Sequence, residues 1–214
     1  MKFDAPVLLV GNGPVDNGAV ALAQKYAVPV IAADGGAKTA LSHGLNPEAI
    51  IGDLDSVDFA TLPSQQAKVI HMTEQDTTDF EKCLNLLEAP LLLGLGFLGG
   101  RLDHELAALN ALVKYSQAVV LIGSRDLVFR IPPKFTFSGR VNTRISFFPM
   151  GRVRGVESVG LEWDITGIDM HPAGAISSSN RLAAKTVSIA NPQQPLLCVM
   201  PRENLGGVLN GFKS

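Results

Sequence analysis

At 214 residues, 46% hydrophobic and 18% charged, the chain is long enough for one large or two small domains and too apolar to be disordered. A formal net charge of −2 supplies no basic footprint for nucleic acid and no polybasic surface for a membrane. The longest apolar stretch, residues 89–98, is too short and too broken by glycine to span a bilayer. The N-terminus carries Asp4 and Pro6 where a secretory signal would be apolar. Cys83 and Cys198 stand far apart in no metal-binding spacing, so they read as unpaired core thiols in a cytoplasmic protein.

Short apolar runs at 7–10, 28–32, 49–51, 69–70, 91–93 and 119–122 read as strands separated by segments that can be helical. Phe80, Cys83, Leu84 and Leu87 follow the i, i+3, i+4, i+7 pattern of an amphipathic helix, which puts Asp79 and Lys82 together on its polar side. Leu102, Leu106, Leu109 and Val113 predict a second helix, with Arg101, Asp103 and His104 at its start. Strand–helix alternation this dense means a mostly parallel sheet covered by helices. Beyond Pro132-Pro133 the pattern changes to short β runs at 134–137, 144–148, 160–165, 186–189 and 196–200, then an irregular Gly-rich tail at 206–214. The expectation is an α/β fold: a mostly parallel, Rossmann-like domain over 1–131, followed by a small all-β sandwich over 134–214.

Six of the twelve aspartates fall in four motifs, each just after an apolar run. Ligands of an open α/β sheet bind beyond the carboxyl ends of its strands, so these acids should converge on one rim. Carboxylates gathered there need a cation, and oxygen-only donors suit Mg²⁺ arriving with phosphates. Asp34-Gly35-Gly36 supplies a carboxylate and two permissive residues, and would serve equally as a turn. In Gly52-Asp53-Leu54-Asp55-Ser56, Asp-x-Asp at a strand end points both acids to one side. A helix cap would explain Asp55 or Ser56 and leave Asp53 unexplained. Asp76-Thr77-Thr78-Asp79 fits a cap at Asp76 and an acidic first turn at Asp79, and both roles are compatible with a metal site.

Gly11-Asn12-Gly13-Pro14 follows the first strand and suits either a tight turn or close approach to a phosphate, and it lacks the Lys-Ser/Thr of a P-loop. Gly94-Leu95-Gly96-Phe97-Leu98-Gly99 matches the dinucleotide fingerprint G-x-G-x-x-G, which keeps an NAD-dependent oxidoreductase open. No acid follows at the required distance, however, and hydride transfer has no use for a carboxylate cluster. In Gly99-Gly100-Arg101-Leu102-Asp103-His104 the glycines would approach phosphate and Arg101 would neutralise transferring charge. Asp103 would hold water or orient a substrate group there, or merely pair with Arg101 at the surface. Trp163, the single tryptophan, defaults to a core aromatic, and Ser177-Ser178-Ser179-Asn180 reads as a polar loop.

Taken in order, these motifs resemble the thiamine pyrophosphokinase family. Asp34-Gly35-Gly36-Ala37, Gly52 to Ser56, Gln75 to Lys82, Gly99 to His104, Gly160-Leu161-Glu162-Trp163 and Ser178-Ser179-Asn180 match that family's signatures over nearly the whole chain. Lys38 departs from the pattern, where Asn is expected. The resemblance implies Mg²⁺-dependent transfer of pyrophosphate from ATP to the thiamine hydroxyl, in a homodimer with shared active sites. By matching positions, Asp53, Asp55, Asp76 and Asp79 would hold Mg²⁺ and phosphates. Asp55, Asp79, Arg101 and Asp103 would carry catalysis. Asp34, Gly35, Gly36, Gln75, Lys82, Gly99 and Gly100 would line the ATP or thiamine site, and Trp163, Ser179 and Asn180 would cover thiamine. A non-catalytic nucleotide or thiamine sensor on the same fold would not need the whole acidic set.

Overall fold

The computed structural model describes residues 1–53, 67–74, 76–190 and 195–213. The chain divides into two compact units, Met1–Ser124 and Arg125–Ser214. In the first unit run β1 (Val7–Val10), α1 (Asn17–Ala23), β2 (Val30–Ala33), α2 (Gly36–Ser42), β3 (Ala49–Gly52), β4 (Lys68–His71), α3 (Asp79–Leu86), β5 (Leu92–Leu95), α4 (Leu102–Lys114) and β6 (Val119–Ile122). Their strands are all parallel, in the spatial order β6-β5-β1-β2-β3-β4. Every strand but β4 is buried along its length, as continuous runs of Val, Ile, Leu and Ala require when helices cover a sheet. The strand order reverses between β1 and β5, and such a switch point opens a crevice at the strand ends.

The second unit contains β7 (Asp126–Arg130), β8 (Lys134–Ser138), β9 (Arg144–Pro149), β10 (Glu157–Val159), β11 (Ser177–Arg181), β12 (Thr186–Ala190), β13 (Leu196–Pro201) and α5 (Leu205–Gly211). Two antiparallel sets form, β11-β9-β13-β7 and β10-β12-β8. Phe129 of β7 meets Phe135 of β8 at 5.3 Å between ring centroids, and Phe212 lies 5.6 Å from both. These rings are the core of the unit.

Several details differ from the sequence expectation. Residues 126–130 pair with β13, so the boundary falls at 124/125 and not after 131. Run 160–165 is a loop, because Gly160 turns with φ of +86°. Ser177–Arg181, read as a loop, is a strand paired with β9 across a bulge, and the tail forms α5, which packs on β8. On α4, Leu102 and Leu106 are exposed while Ala108, Ala111 and Leu112 are buried. Alanines share the helical period and allow closer approach, and counting large side chains overlooked them. Both cysteines are free and buried. No helix among the described residues is long and apolar enough to cross a membrane.

Candidate active site at the strand switch point

The loops after β1 and β5 interlock at the switch point. The Gly11 amide donates to the Leu95 carbonyl and the Gly13 amide to the Gly96 carbonyl, both at 2.8 Å. A Cβ on Gly96, whose φ is +74°, would stand 2.4 Å from the Gly11 carbonyl oxygen, so this crossing needs glycine. Gly94, by contrast, lies inside β5, where a Cβ would meet Leu121, and α4 does not start until Leu102. The first glycine of the supposed dinucleotide fingerprint therefore serves strand packing and not a phosphate turn.

A cavity of about 580 Å³ opens over this crossing, entirely within the first unit. Asp34, at φ of +42° just past β2, donates its backbone amide to the Ile51 carbonyl at 2.8 Å. Gly52 on β3 has to be small here, because a Cβ would approach Asp34 Cβ to 2.7 Å. Gly36 has to be small too, since its Cβ would fall 2.0 Å from the Val10 carbonyl oxygen. The Asp34 side chain is 5% exposed, and its Oδ1 has no hydrogen-bond partner. A buried carboxylate oxygen left without a partner is costly unless a ligand satisfies it.

Asp53 follows β3 and Asp79 opens α3. Between them lies Lys82, 2% exposed, its Nζ 3.0 Å from Asp79 Oδ1 and 3.5 Å from Asp53 Oδ2. The helical pattern put Lys82 on a polar face, and the structure buries it because two carboxylates balance its charge. Burial works against the lysine's charge, yet the hydrogen bond and field of Asp79, with the field of Asp53, hold its pKa above the ordinary value. Asp79 is pushed up chiefly by burial, which outweighs Lys82; the negative charges of Asp34 and Asp53 push the same way. Two carboxylates against one ammonium leave an excess of negative charge, and Asp34 adds its field at Asp79.

The helix cap falls on Thr78 and not Asp76: its side chain accepts from the Glu81 amide while the Glu81 carboxylate accepts from the Thr78 amide. Asp76 is exposed and does not line the cavity. Gly35, Gly100 and Arg101 do line it, whereas Gly36, Gly99 and Asp103 do not. Asp103 spends its carboxylate on Arg101 at 2.6 Å, and hydrogen bonding to that guanidinium holds its pKa below the usual range. In this arrangement Asp103 is a poor proton acceptor. Asp55 and Gln75 lie outside the described residues.

Asn12, Thr77, Phe97, His104 and Glu105 also line the cavity; the first four lie in the sequence motifs without an assigned role, and Glu105 lies outside them. The Gly99 amide donates to Glu105 Oε2 at 3.0 Å, which ties the glycine loop to the first turn of α4. Phe97 packs on Phe80 with centroids 4.4 Å apart. Asn12 was within sight, in the Gly-Asn-Gly-Pro turn; Phe97 carried no signal beyond the glycines around it.

In the second unit Trp163 is 53% exposed, so it is not a core aromatic. Ser179 is exposed, with φ of +58° at the β11 bulge, while Asn180 is 1% exposed and hydrogen-bonded to the backbone of Trp163.

Two family models match the chain: thiamin pyrophosphokinase, catalytic domain, over residues 21–122, and thiamin pyrophosphokinase, vitamin B1 binding domain, over residues 133–194. Thiamine pyrophosphokinase 1 of Arabidopsis thaliana is 29% identical over 70% of this chain and 64% of its own length. Thiamine pyrophosphokinase 1 of Oryza sativa subsp. japonica is 31% identical over 68% of this chain and 62% of its own. The chain thus spans less than two thirds of the curated relatives it matches. The thiamin pyrophosphokinase structure from Candida albicans shares the fold, with a TM-score of 0.79 and 20% identity over 92% of this chain and 89% of that one.

Proposed function

Because the chain belongs to the thiamine pyrophosphokinase family, we propose that it transfers a pyrophosphoryl group from ATP to the thiamine hydroxyl, giving thiamine diphosphate and AMP. The observation that carries the proposal is the orphaned Asp34 Oδ1, set beside Asp53, Asp79 and the buried Lys82 at the switch point. Such a place suits a polyphosphate and its counter-ion.

The donor set fits Mg²⁺. It is all oxygen, it is over-charged, and Asp34 has a free acceptor aimed at nothing. No group of three or more acidic, imidazole or thiol ligands that could hold a metal lies among the described residues. One or two of Asp34, Asp53 and Asp79 would therefore hold Mg²⁺, with water and phosphate oxygens as its other ligands and Asp55 assigned by the motif alone. When bound it would neutralise the charge of the phosphates.

The protein's own residues do the rest by placement. The thiamine hydroxyl oxygen attacks the β-phosphorus of ATP, the bond from that phosphorus to the bridging α–β oxygen breaks, and AMP leaves with that oxygen. A loose, charge-spread transition state asks mainly for alignment and cations. Lys82 fixes the rotamers of Asp53 and Asp79, and Arg101 is exposed enough to swing from Asp103 to the phosphates. The hydroxyl proton passes to one of the cavity carboxylates as the new bond forms. The backbone amides of the Gly11–Gly13 loop offer donors to phosphate or adenosine.

Trp163 supplies a flat face for the thiamine rings. The functional unit is a homodimer, in which the cavity of one subunit is closed by the partner subunit's Trp163. In support, residues 1–124 carry fourteen acids against seven bases and residues 125–214 eleven bases against six acids. The two halves of neighbouring copies would attract each other. A cytoplasmic location belongs to the same proposal, supported by two unpaired thiols.

The test is mass spectrometry of the products formed with thiamine, ATP and Mg²⁺. Thiamine diphosphate with AMP is the expected pair; thiamine monophosphate with ADP would overturn the assignment.

A further inference from the structure

We infer that Asn180 is a positioning residue that acts on thiamine only through Trp163, and is not itself a ligand-binding group. This rests on the proposal that Trp163 stacks on thiamine.

The carboxamide of Asn180 has two donor hydrogens and an acceptor oxygen, and the structure uses all of them. Its Oδ1 accepts from the Trp163 amide at 3.1 Å and from the Arg181 amide at 2.8 Å. Its Nδ2 donates to the Trp163 carbonyl at 2.6 Å and to Ser177 Oγ at 3.2 Å. Facing an N–H on one side and a C=O on the other, the amide has only one chemically sensible orientation. At 1% exposure it has neither surface nor spare hydrogen-bonding capacity to offer a ligand.

The surroundings explain why such a clamp is needed. With Trp163 53% exposed, little packing holds its ring on the solvent side, so its orientation leans on the backbone beneath. On the N-terminal side, Gly160 turns tightly where a Cβ would lie 2.5 Å from the Thr186 carbonyl oxygen, and the Glu162 amide donates to the Arg181 carbonyl at 2.9 Å. On the C-terminal side, Asp164 Oδ1 accepts from Ser158 Oγ at 2.6 Å and from the Thr166 amide at 2.9 Å, and the Ile165 amide donates to Ser158 Oγ at 3.1 Å. Residue 163 is the one position left between these anchors, and Asn180 pins both its backbone polar groups. The β11 bulge, with Ser179 at φ of +58°, turns the Asn180 side chain inward while Ser179 stays at the surface. An aromatic held ready in this way loses less entropy when a ligand stacks on it.

The test is a double-mutant cycle of Asn180→Ala and Trp163→Ala, read as the KM for thiamine and for ATP, together with the fluorescence anisotropy of the single tryptophan. Asn180→Ala should raise the thiamine KM about tenfold, leave the ATP KM unchanged and lower the anisotropy. In the Trp163→Ala background it should add nothing. A full additional tenfold in that background would mean that Asn180 touches thiamine, and would overturn the inference. If Trp163→Ala leaves the thiamine KM unchanged while Asn180→Ala still lowers the anisotropy, the clamp stands and the stacking proposal fails. Hydrogen exchange of the Trp163 amide in the unaltered protein gives a reading even if the alanine variant does not fold. A protected amide supports the clamp; exchange at the rate of an open loop would overturn it.

Discussion

Asp79 and Lys82 decide how the cavity behaves without ligand. The Asp79 pKa is raised on folding, so the folded protein holds that proton more tightly than the unfolded chain. Ionising Asp79 therefore costs stability as the pH rises from the ordinary carboxylate value of 3.8 through the folded value. Asp79→Asn keeps an acceptor for Lys82 and should leave the Tm in EDTA within a few degrees, with turnover abolished. Near-normal turnover would make Asp79 a first-turn residue and nothing more. The Tm gain on adding Mg²⁺ should also fade at a higher pH in the wild type than an unperturbed carboxylate would allow, and should shrink in Asp79→Asn. Lys82→Met is the converse case. It leaves Asp53 and Asp79 facing each other without a cation and should cost about 2–4 kcal/mol in chemical denaturation, below the cost for a fully buried pair. The discount follows from the 23% and 35% exposure of the two acids. Mg²⁺ should restore part of the loss, because it replaces the missing charge; stability equal to wild type in EDTA would contradict the bridging role.

At the scale of elements, α3 carries the site and its own start. Thr78 and Glu81 close the capping box, and Glu81 also accepts from Lys114 of α4 at 2.8 Å. Thr78→Ala should cost about 1 kcal/mol. Burial pushes the Glu81 pKa up, but Lys114 and Thr78 outweigh it and hold the pKa below the ordinary value. Its contribution is thus complete above 4.5 and lost as pH falls through the folded value. Glu81→Gln should flatten the acid limb of a stability–pH curve, and an unchanged limb would remove Glu81 from the account. The sequence made α3 and the parallel strands legible, because burial on both faces and a helical period leave plain patterns. The acidic rim was legible only in part: of the motif acids among the described residues, Asp34, Asp53 and Asp79 line the cavity and Asp76 and Asp103 do not. Three features were hidden for physical reasons. Ser177–Arg181 has strand pairing without strand composition, and the pairing comes from β9. The inward face of α4 is written in alanines. Lys82 looks like a surface lysine until Asp53 and Asp79, from two different elements, are brought around it.

At the scale of the whole molecule, the shared-site proposal is tested by mixing inactive Asp79→Asn with Trp163→Ala under conditions of proven subunit exchange. The assay uses a thiamine concentration below the wild-type KM, where Trp163→Ala alone turns over slowly. If the partner subunit's Trp163 closes each cavity, some mixed dimers hold one intact site and activity returns. Exchange without recovery would put each site within a single chain. The central claim is that this cavity moves two phosphorus atoms at once. It is tested most directly with ATP radiolabelled at the α position and, separately, at the γ position, incubated with thiamine and Mg²⁺. The γ label should appear in thiamine diphosphate and the α label only in AMP, with neither transfer in Asp79→Asn. A γ label in thiamine monophosphate with the α label in ADP would contradict it.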